Sequence, residues 1–502
     1  MKTKQFPLIA ASSSRITLPA LATALFALAG SAGAVPLYLN ATNPTWDTTL
    51  TNWSTASSGT GTTWTNSGNI ANLNGAGTVN LASSVSVNGL NFLKSETIAG
   101  TNNITLSANP VSVASGKNGI ISVPIAGSNG LSLTGGGTLV LKAVNTYSGT
   151  TTIQSGSSVK IDTTGTLGSG PVTDNGNLQF VSGTGITPVD NAISGSGTVS
   201  VSLGITTFTG SNNYSGTTTI DPSTTVLNIG NAGNTGSLGT GNVINNGTLN
   251  FKRTDNYGGN VSNAISGVAG IVNVKAGNLT LTGGNSYGGG TNVSAGSTLL
   301  VNNTSGSGTG SGLVTVYGGA SMGGTGTIGG DALVSGTLSP GANSAIGKLT
   351  INGNFSFDDN STFAYDMNSA SHTGDLAVVN GTDVLSIGAN VELTLNDLGS
   401  GTFAPGTILS LIQYEGTWDG GLFTYNHTQL NDGDVFTDLT ANHNHWTINY
   451  NGSMGDNVST PGTNYISLSL TAVPEVGGLL AIGCLVGSGA FFRSRRRGTN
   501  LL

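Results

Sequence analysis

Apolar side chains alternate with small polar ones in short runs along much of the chain, as at Leu139 and Leu141 or Leu279 and Leu281. A period of two puts one face of each run inward, so the pattern predicts strands. Gly and Asn cluster between the runs, where tight corners need backbone freedom. Three segments share a whole layout: LSLTGGGTLVLKAVNTYSGTTTI from Leu131, ITTFTGSNNYSGTTTI from Ile205 and GNLTLTGGNSYGGGTNV from Gly277. Each runs from an alternating strand through a polar turn to a Tyr, then into a Thr-rich strand. The anchors Tyr147, Tyr214 and Tyr287 stand 67 and 73 residues apart. A second shared element, DNGNLQF ending at Phe180 and NNGTLNF ending at Phe251, recurs after 71 residues.

A period near 70 is too long for one rung of a stacked fold and predicts about three rungs per repeat. Such units bury their apolar faces only by stacking on one another. The expectation is therefore an all-β solenoid rod, with a globular sandwich as the alternative.

Composition narrows the alternatives. Charged residues are 7% of the 502, against roughly 25% in ordinary soluble domains, and 80 residues are Gly. Helical and doubly wound folds need more Lys, Glu and Arg on their solvent faces. A mean hydropathy of +0.09 is too high for a charged disordered chain. Gly lacks a strict period of three, which excludes collagen. The net charge of −7 hides an asymmetry: residues 1–34 and 474–502 each carry +3, leaving −13 on the body. Such a body repels phosphate and argues against nucleic acid as a partner.

The ends read as addresses. Lys2, Lys4 and Arg15 precede an apolar run from Ile16 to Gly30, and Ala32 and Ala34 then fit a signal-peptidase site, with cleavage expected after Ala34. Near the other end, Val476 to Phe492 supplies 17 uncharged residues, the lower limit for a bilayer-spanning helix. Arg493, Arg495, Arg496 and Arg497 follow and would hold that end in the cytoplasm. The single cysteine, Cys484, lies inside this run, so the exported body would hold no disulfide.

Two resemblances sharpen this reading. Val473, Pro474 and Glu475, the apolar run and the Arg cluster together resemble the PEP-CTERM protein-sorting segment, with Val476 standing where that family has a second Pro. The resemblance covers about residues 472–497 and implies handling by an exosortase-type enzyme at the inner membrane of a Gram-negative bacterium. Release or display at the surface would follow, often with exopolysaccharide. GGGTLVLKAVNTYSGTTTI, from Gly135 to Ile153, resembles the autotransporter-associated β-strand repeat, and the other two Tyr segments are weaker copies. That family implies a right-handed parallel β-helix. The expected organisation is a signal peptide at 1–34, an N-terminal cap with its first rungs at 35–130 and a repeat array at 131–341. An acidic β region at 342–471 and the sorting segment with its single transmembrane helix complete it.

Candidate chemistry is sparse. Trp46, Trp53 and Trp64 could stack on sugar rings or cap the open end of the solenoid. Gly324 to Gly329 has the letters of a dinucleotide loop, but another Gly-punctuated strand pair follows it where a helix would be needed. His443 and His445 would share a face of one strand, with His427, His372, Asp432 or Asp434 as further metal ligands. Asn431 to Asp438 offers carboxylates without the ligand order of a calcium loop. For a lyase or glycosidase the candidates are Asp358, Asp359 and Asp366, or Arg253 with Lys252 and Asp255. The reading favoured by these residues is a non-enzymatic structural or adhesive surface protein with no catalytic, cofactor or metal site. Its alternatives are a carbohydrate-active enzyme on the same rod and an autotransporter passenger.

Overall fold

The computed structural model describes residues 34–471 except 41, 43, 58–60, 67, 76, 109, 182–187, 223, 258, 342–343, 381–383 and 453–463. The chain winds through these residues as a parallel β-solenoid with three faces, and none of them lies in a helix. No described segment is a helix long and apolar enough to cross a membrane. The expected helix at 476–492, Val473–Glu475, the Arg cluster and Ala32 lie outside the described residues.

One circuit shows the construction. Leu131–Thr134 lies on the first face and Thr138–Leu141 on the second; residues 145–148 cross the third, and Thr151–Ile153 returns to the first. Leu131 then sits beside Thr151, and Leu139 beside Val159. The alternation read from sequence points Leu131, Leu133, Leu139, Leu141 and Ile153 into the interior, all of them fully buried. Each such side chain contributes roughly 1.5–3 kcal/mol by leaving water. A column of them through every turn replaces the disulfides that the body lacks.

Each face carries two successive sheets. On the third face the lower sheet has three strands and ends at Ile125–Ala126; the upper has ten and begins at Ile205–Phe208. On the first face the lower sheet ends at Ile193–Ser194 and the upper begins at Asn260–Val261. On the second, the change falls between Ile265–Ser266 and Thr327–Ile328.

The three interruptions coincide with the three Tyr segments. Residues 145–148 lie on top of Ile125–Ala126, where Thr146 N–H bonds the Ile125 carbonyl. Asn213 N–H bonds the Ile193 carbonyl on the first face, and Ser286 N–H bonds that of Ile265 on the second. One turn takes 19 to 25 residues here. A repeat of 67 or 73 residues is therefore three turns and a third, where the sequence suggested about three. Each copy lands one face further round the rod.

Both described ends turn antiparallel. Trp53–Ser54 pairs antiparallel with Pro36–Leu39 and closes one edge. At the other end Asn464–Leu470 lies antiparallel between Ile408–Tyr414 and His445–Gly452. Antiparallel closure ends the parallel stack, which would otherwise offer an open ladder to another chain.

Candidate binding surface

The repeated Tyr segment is a stitch between turns. Asn145 Oδ1 accepts the Ile125 N–H from the turn below at 2.8 Å, and its Nδ2 donates to the Thr166 carbonyl above at 2.6 Å. Asn212 joins Ile193 to Ser237 at 2.9 and 2.8 Å, and Asn285 joins Ile265 to Gly308 at 2.8 and 2.6 Å. Each buried side-chain amide thus takes the place of a backbone peptide in the ladder, satisfying groups that would otherwise be orphaned. The Tyr two residues on is fully buried, and its hydroxyl lies 2.7 Å from the Thr four residues further: Thr151, Thr218 and Thr291. Burial raises all three phenols, that of Tyr214 to about 12, so they stay neutral.

The next turn lays a glycine on each Tyr. A Cβ on Gly168 would fall 2.1 Å from the Tyr147 carbonyl oxygen, one on Gly239 2.5 Å from that of Tyr214, and one on Gly310 2.0 Å from that of Tyr287. The stitching Asn residues and this glycine layer were missed in the sequence, although a signal for them exists. TLGSG at 166–170, SLGTG at 237–241 and TGSG at 309–312 each follow their Tyr by a turn.

Two outward ranks differ in what they leave free. On the upper third face Asn228, Asn250, Asn273 and Asn292 form an amide ladder, each Nδ2 donating to the residue one turn below at 2.8 to 3.1 Å. That ladder satisfies itself along its length. On the lower first face Ser132, Thr152, Thr173 and Ser194 are cross-strand neighbours on successive turns. Ser194 donates to the Val172 carbonyl. Among the described residues the hydroxyls of Ser132, Thr152 and Thr173 have no such partner and face solvent half-exposed.

The other candidates serve the scaffold. Trp46, Trp53 and Trp64 are fully buried with ring centroids 4.8 to 5.1 Å apart, so their faces meet one another and no sugar. Gly324 closes the strand Ser321–Gly324, and Thr327–Ile328 follows it as a strand with no helix. His443 sits in a turn at φ 49, before the strand that begins at His445, so the two imidazoles do not share a strand face as the spacing suggested. Around them Asp438 is fully buried and accepts Thr440 N–H and Oγ1, the Asn444 amide and the Trp446 indole N–H. Asp432 accepts from Tyr450 N–H, and Asp434 accepts from Asn431 N–H. Among the described residues no three His, Cys, Asp or Glu side chains converge as metal ligands.

The carboxylates weighed for hydrolysis are stitches too. Asp358 accepts from Ser335, Asp359 from Ala389 N–H one turn on, and Asp366 from the Asn396 amide. Arg253 chelates Asp255, donates to the Gly236 carbonyl at 2.8 Å and lies 5.2 Å over the Tyr257 ring.

Fold and stitching define a repeat protein of the parallel β-solenoid class. Residues 131–157, 203–221 and 276–301 match the family model of the passenger-associated-transport-repeat, and each match contains one Asn–Tyr–Thr unit. The chain is also 29% identical over 222 residues to the adhesin BmaC autotransporter of Brucella suis biovar 1 (strain 1330). The alignment covers 39% of this chain but 6% of that adhesin, so the chain spans a small part of its relative's length. The protein is passenger-like in repeat and fold.

Proposed function

We propose that this chain is an exported, non-catalytic adhesive rod that binds neutral, hydroxyl-rich polysaccharide at the surface of a Gram-negative bacterium. The observation that carries this reading is the rank formed by Ser132, Thr152 and Thr173, whose hydroxyls are uncommitted while the acids, amides and aromatics nearby hold the scaffold together. Single hydroxyl contacts are weak, and a rank repeated at roughly 4.8 Å makes them additive along a polymer. The similarity to an adhesin supports the same reading. The test is retention of the purified chain on immobilised neutral and acidic polysaccharides, with Thr152→Val and Thr173→Val combined in one variant. A loss of about tenfold in affinity is expected, since two hydrogen bonds of ~0.5–1.5 kcal/mol each are removed. Equal retention of the variant would refute it.

Delivery through a PEP-CTERM-like segment belongs to this proposal and rests on Val473, Pro474, Glu475 and the Arg cluster. Replacing Arg493, Arg495, Arg496 and Arg497 by Ser should leave the protein mis-sorted; unchanged surface display would count against that route and favour passenger-type export. The carbohydrate-active alternative has only analogy of fold behind it. Turnover of a polysaccharide, abolished by Asp358→Ala or Asp359→Ala, would establish it.

A further inference from the structure

The element shared by DNGNLQF and NNGTLNF contains one substitution with consequences for the interior. Val172–Asp174 and Val243–Asn245 are equivalent strands that end in Asp and Asn, and both terminal side chains are fully buried. Asn245 is satisfied at both ends: Oδ1 accepts Gly247 N–H at 3.2 Å and Nδ2 donates to the Ile271 carbonyl at 2.9 Å. Asp174 reproduces half of this. One oxygen accepts Gly176 N–H at 2.9 Å, while Oδ2 is buried without a partner.

The carbonyl equivalent to that of Ile271 can be named. Ile271 N–H bonds the Gly247 carbonyl, and Thr198 N–H bonds the Gly176 carbonyl in the same way. Gly197 packs directly on the carboxyl, where a Cβ would fall 2.4 Å from its carbon, so the group is enclosed. We propose that in acid Asp174 is protonated inside the rod, its Oδ2 hydroxyl donating to the Thr198 carbonyl as the Asn245 amide does to Ile271, and that this turn is a pH-dependent weak link that loosens when the proton leaves.

Few charges bear on the group. Tyr214, buried two turns on along the same face with its hydroxyl on Thr218, is the titratable side chain coupled to it. On the adjoining second-face strand Lys160 and Asp162 pair with each other outside the core. The neighbouring first-face strands, Thr151–Ile153 and Ile193–Ser194, carry no ionisable side chain. Desolvation dominates and raises the carboxyl from 3.8 to about 6, against the lowering by the Gly176 and Leu178 N–H groups. A raised acid favours the folded turn while it is protonated. Its stabilisation is complete below the unfolded value, declines as pH rises through the folded one, and is gone above about 6.

Hydrogen exchange of the full chain, read by mass spectrometry from pH 4 to pH 8 and corrected for intrinsic rate, tests this. Peptides over 166–181 and 193–203 should lose protection on the order of 100-fold between pH 4 and pH 7, the factor that two pKa units imply. Peptides over Val314–Val316, where the equivalent terminal residue is Val316, serve as the reference and should stay level. Asp174→Asn should abolish the slope and keep the acid level of protection throughout. Asn245→Asp, read at 237–251, should create a new slope there, and it remains decisive if the first variant folds poorly. A level wild-type profile, an equal slope in the reference peptides, an unchanged slope in Asp174→Asn or no slope in Asn245→Asp would each overturn the proposal.

Discussion

The hydroxyl of Tyr147 lies 2.7 Å from that of Thr151, and both are sealed from solvent. The pairing recurs at Tyr214 with Thr218 and at Tyr287 with Thr291, on a different face each time. It therefore belongs to the repeat and not to any local surroundings.

Tyr147→Phe should lower stability by about 1–3 kcal/mol, because the Thr151 hydroxyl is left buried and unpaired. Tyr147→Phe combined with Thr151→Val removes both partners and should recover most of the loss. Urea midpoints of the two single variants and the double variant check this. Additive losses would show that the hydroxyls do not act as a pair.

Asn145→Ala should cost more than Tyr147→Phe, since it orphans both the Ile125 N–H and the Thr166 carbonyl. Two buried backbone groups at ~1–3 kcal/mol each set the scale. The damage should be local, so exchange protection should fall over 119–127 and 164–170 before it falls elsewhere.

The glycine layer predicts a contrast between two alanine variants. Gly168→Ala drives a methyl into the Tyr147 carbonyl and should destabilise the rod strongly. Gly156→Ala, at φ +80 with nothing within 4 Å, should cost only about 1 kcal/mol of backbone strain. Thermal unfolding of the pair separates steric from conformational effects.

Asp375 gives a second pH response with a different remedy. It is fully buried, and burial, with Asp366 nearby, lifts its carboxyl to about 7. Its stabilisation is thus present in acid and lost as pH rises through about 7. Asp375→Asn should not restore it, because both oxygens accept backbone N–H groups, from Gly347 and Asp366, and an amide nitrogen would face one of them. Melting temperatures of wild type and variant at pH 5 and pH 8 check the sign.

Trp53→Ala should remove about 3–5 kcal/mol by opening the trio at the N-terminal edge. Since these rings face one another, neutral glycans should leave the wild-type tryptophan emission unchanged. A sugar-dependent shift that the Trp53 variant lacks would reassign the cluster to binding.

Much of the winding was legible in the sequence because inward alternation and Gly or Asn corners are local features. Leu139, Leu141, Leu279 and Leu281 point inward as their spacing required. The Tyr anchors were visible too, but their spacing alone did not show where each lands. That depends on loop lengths that vary from 19 to 25 residues per turn, as the links from Ile193 to Asn212 and from Asn212 to Ser237 show. Asn145 read as a turn residue because its partners, Ile125 and Thr166, are a full turn away in each direction. His443 and His445 misled for the opposite reason: alternate positions suggest one face of a strand, while Asp438 folds the segment into a turn through contacts the spacing does not encode.

The one-third step of each repeat sets how the structure bears load. Where residues 145–148 interrupt the third face, the other two ladders run through unbroken, and the same holds at Tyr214 and Tyr287. The joints are staggered like those in coursed brickwork, so no cross-section of this region offers a cleavage plane to a pull along the axis.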